Sequence, residues 1–437
     1  MSIAWLKAKW RSWLGRQKMK KRDYVSAMLH FQRVLSLFPD SVYAHSCIGY
    51  CHCALGEYEE AAKAFDHALR IKPDSAYTHA ELGRAFLYLG KSQAAVDELN
   101  RAFRIQPSLK NNVAYQVPFA SALAKLGQVD KALDAYKSAA QLDPKSAEAQ
   151  FGLGWTLFNL EKYSEAEQPL WTALRLDPEH VDAHYNLGLV LHELGKAKES
   201  QEQLEECIRL RPDYPEAQYS LGLARCEDKR FAEAVTAYRE AVHLKPDYVD
   251  ALYNLGLAYS ELGQRNEEQR AYEEVLRLDP SDAKTLHNLV LVLSQLERWQ
   301  DALDASRRLL ELEPSSEVGY YTIGSACSEL ERYDEAIAAF RRVIEMNPNN
   351  VQAVETLGWL FLHRSMYEDA AAEFRRAIEL KPDFPRLYLK LGETYAKLGN
   401  RHAAVEQYQQ LQKLDADAAK ELLALIPASR DSVRRDS

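Results

Sequence analysis

Apolar residues recur along the chain in short blocks with helical spacing, each block followed by a turn and a second block. In "VDALYNLGLAYSELGQRNEEQRAYEEVLRLDPSD", residues 249–282, the two blocks are broken at Gly263 and Pro280. Prolines that close such stretches lie at 39, 73, 107, 144, 178, 212, 246, 280, 314, 348 and 382, every spacing being 34 except one of 37. A fixed period of this length predicts tandem helix pairs, because one pair cannot bury its own apolar faces without neighbours. With each proline at place thirty-two, repeats begin at 8, 42, 76, 113, 147, 181, 215, 249, 283, 317, 351 and 385. Lys110, Asn111 and Asn112 are inserted between repeats three and four, and Ala416 stands where repeat twelve would have its proline.

Other places align in this frame. Place eight is Gly in ten of the twelve repeats, with Ala120 and Val290 the exceptions. Place twenty is Ala in ten, with Ser200 and Glu268 the exceptions. Place seventeen is often aromatic, as in Tyr58, Phe231 and Trp299, and place twenty-four is usually Phe, Tyr or Leu. Small residues at places eight and twenty let two antiparallel helices approach closely. A Leu there would overpack the contact at a cost of roughly 1–3 kcal/mol. Proline cannot extend a helix interior, so it ends each pair.

This pattern resembles the tetratricopeptide repeat (TPR) family, and the resemblance covers residues 8–418. It implies an all-α fold, a right-handed α-α superhelix (TPR solenoid) of antiparallel helix pairs. Residues 1–7 then extend the first helix, 8–109 hold repeats one to three, 110–112 are an insertion, and 113–418 hold repeats four to twelve. Residues 419–426 are expected to cap the last repeat, and the polar tail 427–437 is expected to be disordered. Pro118 and Pro169 fall inside helices and are expected to kink them. Residues 107–170 are therefore expected to divide the first three repeats from the rest.

Composition narrows the class. The 437 residues are 47% apolar and 27% charged, with a net charge of −9, so there is no overall basic footprint for nucleic acid. No apolar run approaches the roughly 18 residues needed to cross a bilayer, and no apolar stretch follows the basic N-terminus as a signal peptide would require. Six cysteines are too few for a disulfide scaffold and suit reduced thiols in the cytoplasm.

The first 24 residues depart from this balance, with eight bases against Asp23 alone. On a helix, Ile3, Leu6, Trp10, Trp13 and Leu14 form one apolar face with bases around the opposite side, and Trp5 lies off the stripe. Packing of that face on the second helix is the expectation favoured here. Peripheral docking of residues 1–24 on a membrane surface, as an assembly or co-chaperone-like factor, is the alternative.

"AHSCIGYCHCALG", residues 44–56, looks like a cluster of metal ligands. Cys47, Cys51 and Cys53 with His45 and His52 all lie on the first helix of repeat two, however, and one helix cannot converge them on a tetrahedral ion. They are expected to be packing residues. The glycines are consumed by place eight and the turns, apart from Gly152 and Gly319, and no phosphate loop or nucleophile elbow is present. No catalytic residue, metal or cofactor is expected, and the chain is not read as an enzyme.

In the tetratricopeptide family, places two, five, six, nine, twelve and thirteen of the first helix commonly face the concave groove. Here place five carries Tyr185, Tyr219, Tyr253, His287 and Tyr321, and place six carries Asn186, Asn254 and Asn288. Leu189, Leu223 and Leu257 occupy place nine, and Glu193, Glu227 and Glu261 occupy place thirteen. Asn both donates and accepts, which suits an extended peptide backbone, and Tyr adds contact area with a polar tip; both are also common scaffold choices in the family, so a ladder that only holds the helices together is the alternative. The acids imply a ligand segment carrying Lys or Arg. The Lys and Asn that the chaperone-binding subfamily needs at places five and nine are absent, since repeat one has Ser12 and Arg16 there. The expectation is a protein-interaction scaffold that binds one or more partner proteins through an extended segment.

Overall fold

The computed structural model describes residues 3–426, so the expected tail 427–437 lies outside the described residues. Among the described residues the chain is helical and has no strand. It divides into two compact units, Met1–Asp228 and Lys229–Ser437, each a run of helix hairpins. The division falls inside repeat seven, between helices Pro215–Glu227 and Phe231–Leu244, and not within residues 107–170. The insertion is absorbed by a 3-10 turn, Pro107–Asn111, whose Leu109 is buried with Phe103 and Tyr115. Asn112 then caps the next helix by accepting from the backbone N–H of Ala114. Helices Val113–Lys125 and Tyr163–Leu176 each continue past their internal Pro118 and Pro169.

A typical repeat has helix A at places one to thirteen and helix B at places seventeen to thirty, as in Val249–Glu261 and Arg265–Leu278. Place thirty-four caps helix A: Ser41, Ser146, Ser316 and Asn350 each accept a backbone N–H three residues on. Between the two helices, place fifteen takes a positive φ in every repeat. Six of these residues are Gly, while Arg22, Glu161, Lys229, Glu297, Glu331 and Ser365 adopt the same conformation. An L-residue there carries about 1 kcal/mol or more of strain.

Packing within the hairpin explains the small residues. A Cβ added to Gly49 would lie 2.6 Å from the Phe65 ring, and one on Gly256 would lie 2.4 Å from the Tyr272 ring. Place twenty-four therefore fills the space that a side chain at place eight would need. Repeat nine reverses the sizes, with Val290 at place eight and Ser306 at place twenty-four, both fully buried. Exceptions at place twenty are satisfied locally. The Ser200 hydroxyl donates to the Gly188 carbonyl at 2.7 Å, and buried Glu268 pairs with Arg265 at 2.7 Å. Place four ties helix A to the preceding turn, with His79, His184 and Tyr388 donating to the carbonyls of Pro73, Pro178 and Pro382 at 2.8, 3.0 and 2.9 Å.

The ends behave differently. Helix Ala416–Leu425 starts three residues earlier than expected because Asp415 caps it, and its Leu422 fills the space at Gly392. At the other end, helix Ile3–Lys20 overturns the expected packing. Ala8 and Gly15 are its buried residues, whereas Ile3, Leu6, Trp10 and Trp13 are exposed. The reason is the repeat itself: a Cβ on Gly15 would sit 2.7 Å from the Phe31 ring, so the helix must turn its small side inward.

Two stability predictions follow from these contacts. Gly256→Ala places a methyl against Tyr272 and is expected to cost about 1–3 kcal/mol. Glu297→Gly relieves the left-handed turn and is expected to stabilise by about 0.5–1 kcal/mol. Urea titration of each variant checks both, and a midpoint that did not move down and up respectively would contradict them.

Candidate functional site

In the first unit, Tyr185, Asn186, Leu189 and Glu193 lie on helix Val181–Glu193, and Tyr219, Leu223 and Glu227 lie on helix Pro215–Glu227. In the second unit, Tyr253, Asn254, Leu257 and Glu261 lie on helix Val249–Glu261. His287 and Asn288 follow on Ala283–Gln295, and Tyr321 on Glu317–Glu329.

The tyrosines are half-buried and connect successive repeats. The Tyr253 hydroxyl accepts from Asn288 Nδ2 at 3.0 Å, and its ring lies 6.0 Å from that of Tyr272 and under Lys284. Tyr185, two repeats earlier, packs its ring 5.0 Å from Tyr214 at the turn before the next repeat. In the second unit, place five of repeat eight thus bonds place six of repeat nine. Tyr321 meets Phe340 edge-on, the ring centroids 5.4 Å apart. Burial pushes the Tyr185 and Tyr321 phenols above their ordinary value.

Of the place-six amides, Asn186 is buried, while Asn254 and Asn288 are half-buried. Asn186 is only 7% exposed, and its Nδ2 donates to the Asp182 carbonyl at 2.7 Å. Asn254 donates likewise to the Asp250 carbonyl at 2.8 Å. These amides are engaged four residues back on their own helix, a pairing that leaves no trace in a 34-residue period. The exposed members are Glu193, Glu227, Glu261 and Leu257, while Leu189, Leu223, Tyr219 and His287 are half-buried. Glu227 lies 3.3 Å from His192 of the preceding repeat.

A further cluster was missed. In the second unit, helix A of repeats ten, eleven and twelve opens on one cavity of about 300 Å³. Glu329 and Ser328 line it from repeat ten, Gln352, Glu355 and Trp359 from repeat eleven, and Arg386 and Lys390 from repeat twelve. All stand at the places that commonly face the groove in the family. The side chains differ from repeat to repeat, so a search for recurring residue types passes over them. Glu355 is paired with Arg386 at 3.1 Å and Lys390 with Glu393 at 2.9 Å, leaving Trp359 about one-third exposed between opposite charges.

The cysteine-rich helix Val42–Ala54 sends its ligand-type groups in different directions. Cys51 is buried with Phe31 and Ile48, while Cys53 packs with Phe65 and Leu82. His45 bonds the Pro39 carbonyl at 2.9 Å, and His52 bonds Glu57 at 2.6 Å. Among the described residues, no three His, Cys, Asp or Glu side chains gather as a metal site would require. Burial pushes the Cys51 thiol to about 12, the Cys53 thiol to about 11 and the Cys207 thiol to about 12.

Family models described as tetratricopeptide repeat match residues 40–108, 321–385, and 181–214, 249–282 and 385–417. One described as TPR repeat matches 120–160, 156–195 and 222–263. No curated relative matches the chain. Among solved structures, YrrB, described as a TPR protein with an unusual peptide-binding site, is 26% identical over 43% of this chain and 95% of its own, with a TM-score of 0.39. MamA from residue 41 to its end, from Desulfovibrio magneticus RS-1, is 26% identical over 40% of this chain and 97% of its own, with a TM-score of 0.36. The APC/C hetero-tetramer Cut9–Hcn1 is 14% identical over 97% of this chain and 96% of its own, with a TM-score of 0.38.

Two predictions rest on these contacts. Asn186→Ala and Asn288→Ala are each expected to destabilise by about 1 kcal/mol, through loss of a helix bond and of a bond between repeats. Thermal melting checks this, and an unchanged melting temperature would show that the amides carry no structural load. The buried thiols set a pH dependence with a definite sign. Below about pH 9 folded and unfolded chains both keep these protons; between there and about 12 only the unfolded chain releases them, so stability falls as pH rises. The alkaline fall in melting temperature should be shallower in Cys51→Ala/Cys207→Ala, and equal slopes would refute the assignment.

Proposed function

Because the chain belongs to the tetratricopeptide repeat family, we propose that it is a non-catalytic interaction scaffold whose helix-A faces hold extended segments of partner proteins. The observation that carries this reading is the cavity at Trp359, which helix A of three successive repeats lines at groove places. Its mixture of one accessible indole and polar groups of both signs suits a peptide better than a small apolar ligand.

Charge supports a basic ligand segment. Glu193, Glu227, Glu261 and Glu329 each end a helix A. The helix dipole disfavours an acid there by roughly 0.3–1 kcal/mol, so helix stability does not account for them. A cationic segment does. Leu189, Leu223 and Leu257 would give apolar contact one turn earlier, with His287 and the edges of Tyr185, Tyr219, Tyr253 and Tyr321 beside them. Asn288 would act by holding the tyrosine-bearing helices in register, and Asn186 and Asn254 by bonding within their own helices. A net charge of −9 argues against nucleic acid as the partner. The six free cysteines, three of them buried, suit a reducing compartment, and we assign the scaffold to the cytoplasm.

A peptide array of varied charge tests this reading. Lys- and Arg-bearing extended peptides should be captured, less strongly as salt rises. Trp359→Ala should weaken capture by the C-terminal cavity about ten-fold, measured at a temperature where its melting curve shows it still folded, since truncating an interface Trp commonly costs more than 1 kcal/mol. If no peptide distinguished Trp359→Ala or Glu261→Gln from the natural chain, the groove reading would be wrong.

A further inference from the structure

The N-terminal helix carries a surface that the scaffold does not use. Helix Ile3–Lys20 has six bases and no acid in its eighteen residues. Its packing side is fixed by Ala8 and Gly15. At about 100° per residue, Ile3, Leu6, Trp10 and Trp13 fall within about 60° of one direction, on the side away from that packing. They are 73%, 52%, 53% and 50% exposed. The bases do not lie opposite the stripe. On the same projection Lys7 and Lys18 border one edge, and Lys9, Arg16 and Lys20 border the other.

We propose that this face docks on an anionic membrane surface, the stripe lying among the upper acyl chains and the flanking bases reaching the headgroups. Indoles favour that boundary, where one part of the ring is apolar and the other meets water. Long basic side chains on both borders can extend upward to phosphates while their stems cover the apolar strip. A second copy meeting this one stripe to stripe fits less well on charge grounds, because it would set the six bases of one helix beside the six of the other. The surface would need to be both apolar and anionic along the whole stripe, which a lipid headgroup layer provides without a matching pocket. No helix among the described residues is long and apolar enough to cross a membrane, so the contact is peripheral.

Flotation of the full chain with phosphatidylcholine vesicles, with and without phosphatidylglycerol, tests the proposal. Binding is expected only with the anionic lipid, with a blue shift in tryptophan emission. Trp10→Ala/Trp13→Ala should reduce partitioning about ten-fold or more, as should Lys9→Glu/Arg16→Glu/Lys20→Glu, and the charge variant should remove the salt sensitivity. Both sets of residues are on the outer side of the helix, so melting curves should stay unchanged. Absent flotation, or binding that survives Trp10→Ala/Trp13→Ala, would overturn the proposal. So would a lipid-free dimer in sedimentation that dissociates in Trp10→Ala/Trp13→Ala, which would assign the stripe to a second copy.

Discussion

The contact between place eight and place twenty-four is the constraint on which each repeat depends. Gly15 faces Phe31, Gly49 faces Phe65 and Gly324 faces Phe340, so a large side chain of helix B rests directly on the backbone of helix A. The sequence separation in this contact is the same each time, which fixes the turn between the helices. A turn of that length puts place fifteen at positive φ whatever residue stands there. Strain of about 1 kcal/mol at Glu161 or Lys229 is tolerated because the packing it permits is worth more, several kcal/mol when a large buried side chain is involved.

Register between repeats uses polar atoms instead. Tyr253 bonds Asn288 of the next repeat. His79 and His184 tie helix A to the preceding proline turn. Such bonds contribute only about 1 kcal/mol each, but they are directional where apolar packing is not. The consequence for binding is a division of labour along helix A. Places four to six largely hold the array together, and places nine and thirteen carry the more exposed side chains, though Glu227 meets His192.

The hairpins, their period and the glycine turns were legible in the sequence because each depends on residue size at a fixed place. What was not legible depended on direction. The first helix was misjudged because its large apolar residues outnumber Ala8 and Gly15, yet it is Gly15 that the Phe31 contact selects. Asn186 and Asn254 looked like ligand-reading amides because a bond to the carbonyl four residues back does not show in the repeat. Trp359 and Glu355 escaped because a site that varies from repeat to repeat has no period. The left-handed turns at Arg22 and Ser365 escaped because neither residue type favours that conformation.

Periodicity also decides how such a surface can bind. An exposed glutamate at the end of one helix offers little alone, since a surface ion pair is worth about 0.2–1 kcal/mol. A half-buried leucine beside it adds a modest apolar contact. In the first unit the pair returns on the next helix A, from Leu189 and Glu193 to Leu223 and Glu227, so one extended segment lying there would meet several weak contacts joined by its own backbone. Later contacts then form at high effective concentration. This works only if the spacing holds while the ligand binds, because a scaffold that had to order itself would forfeit the gain. Hairpins fixed by the Gly–aromatic contact would meet that requirement, which would link a buried contact to the recognition of a chain that it never touches.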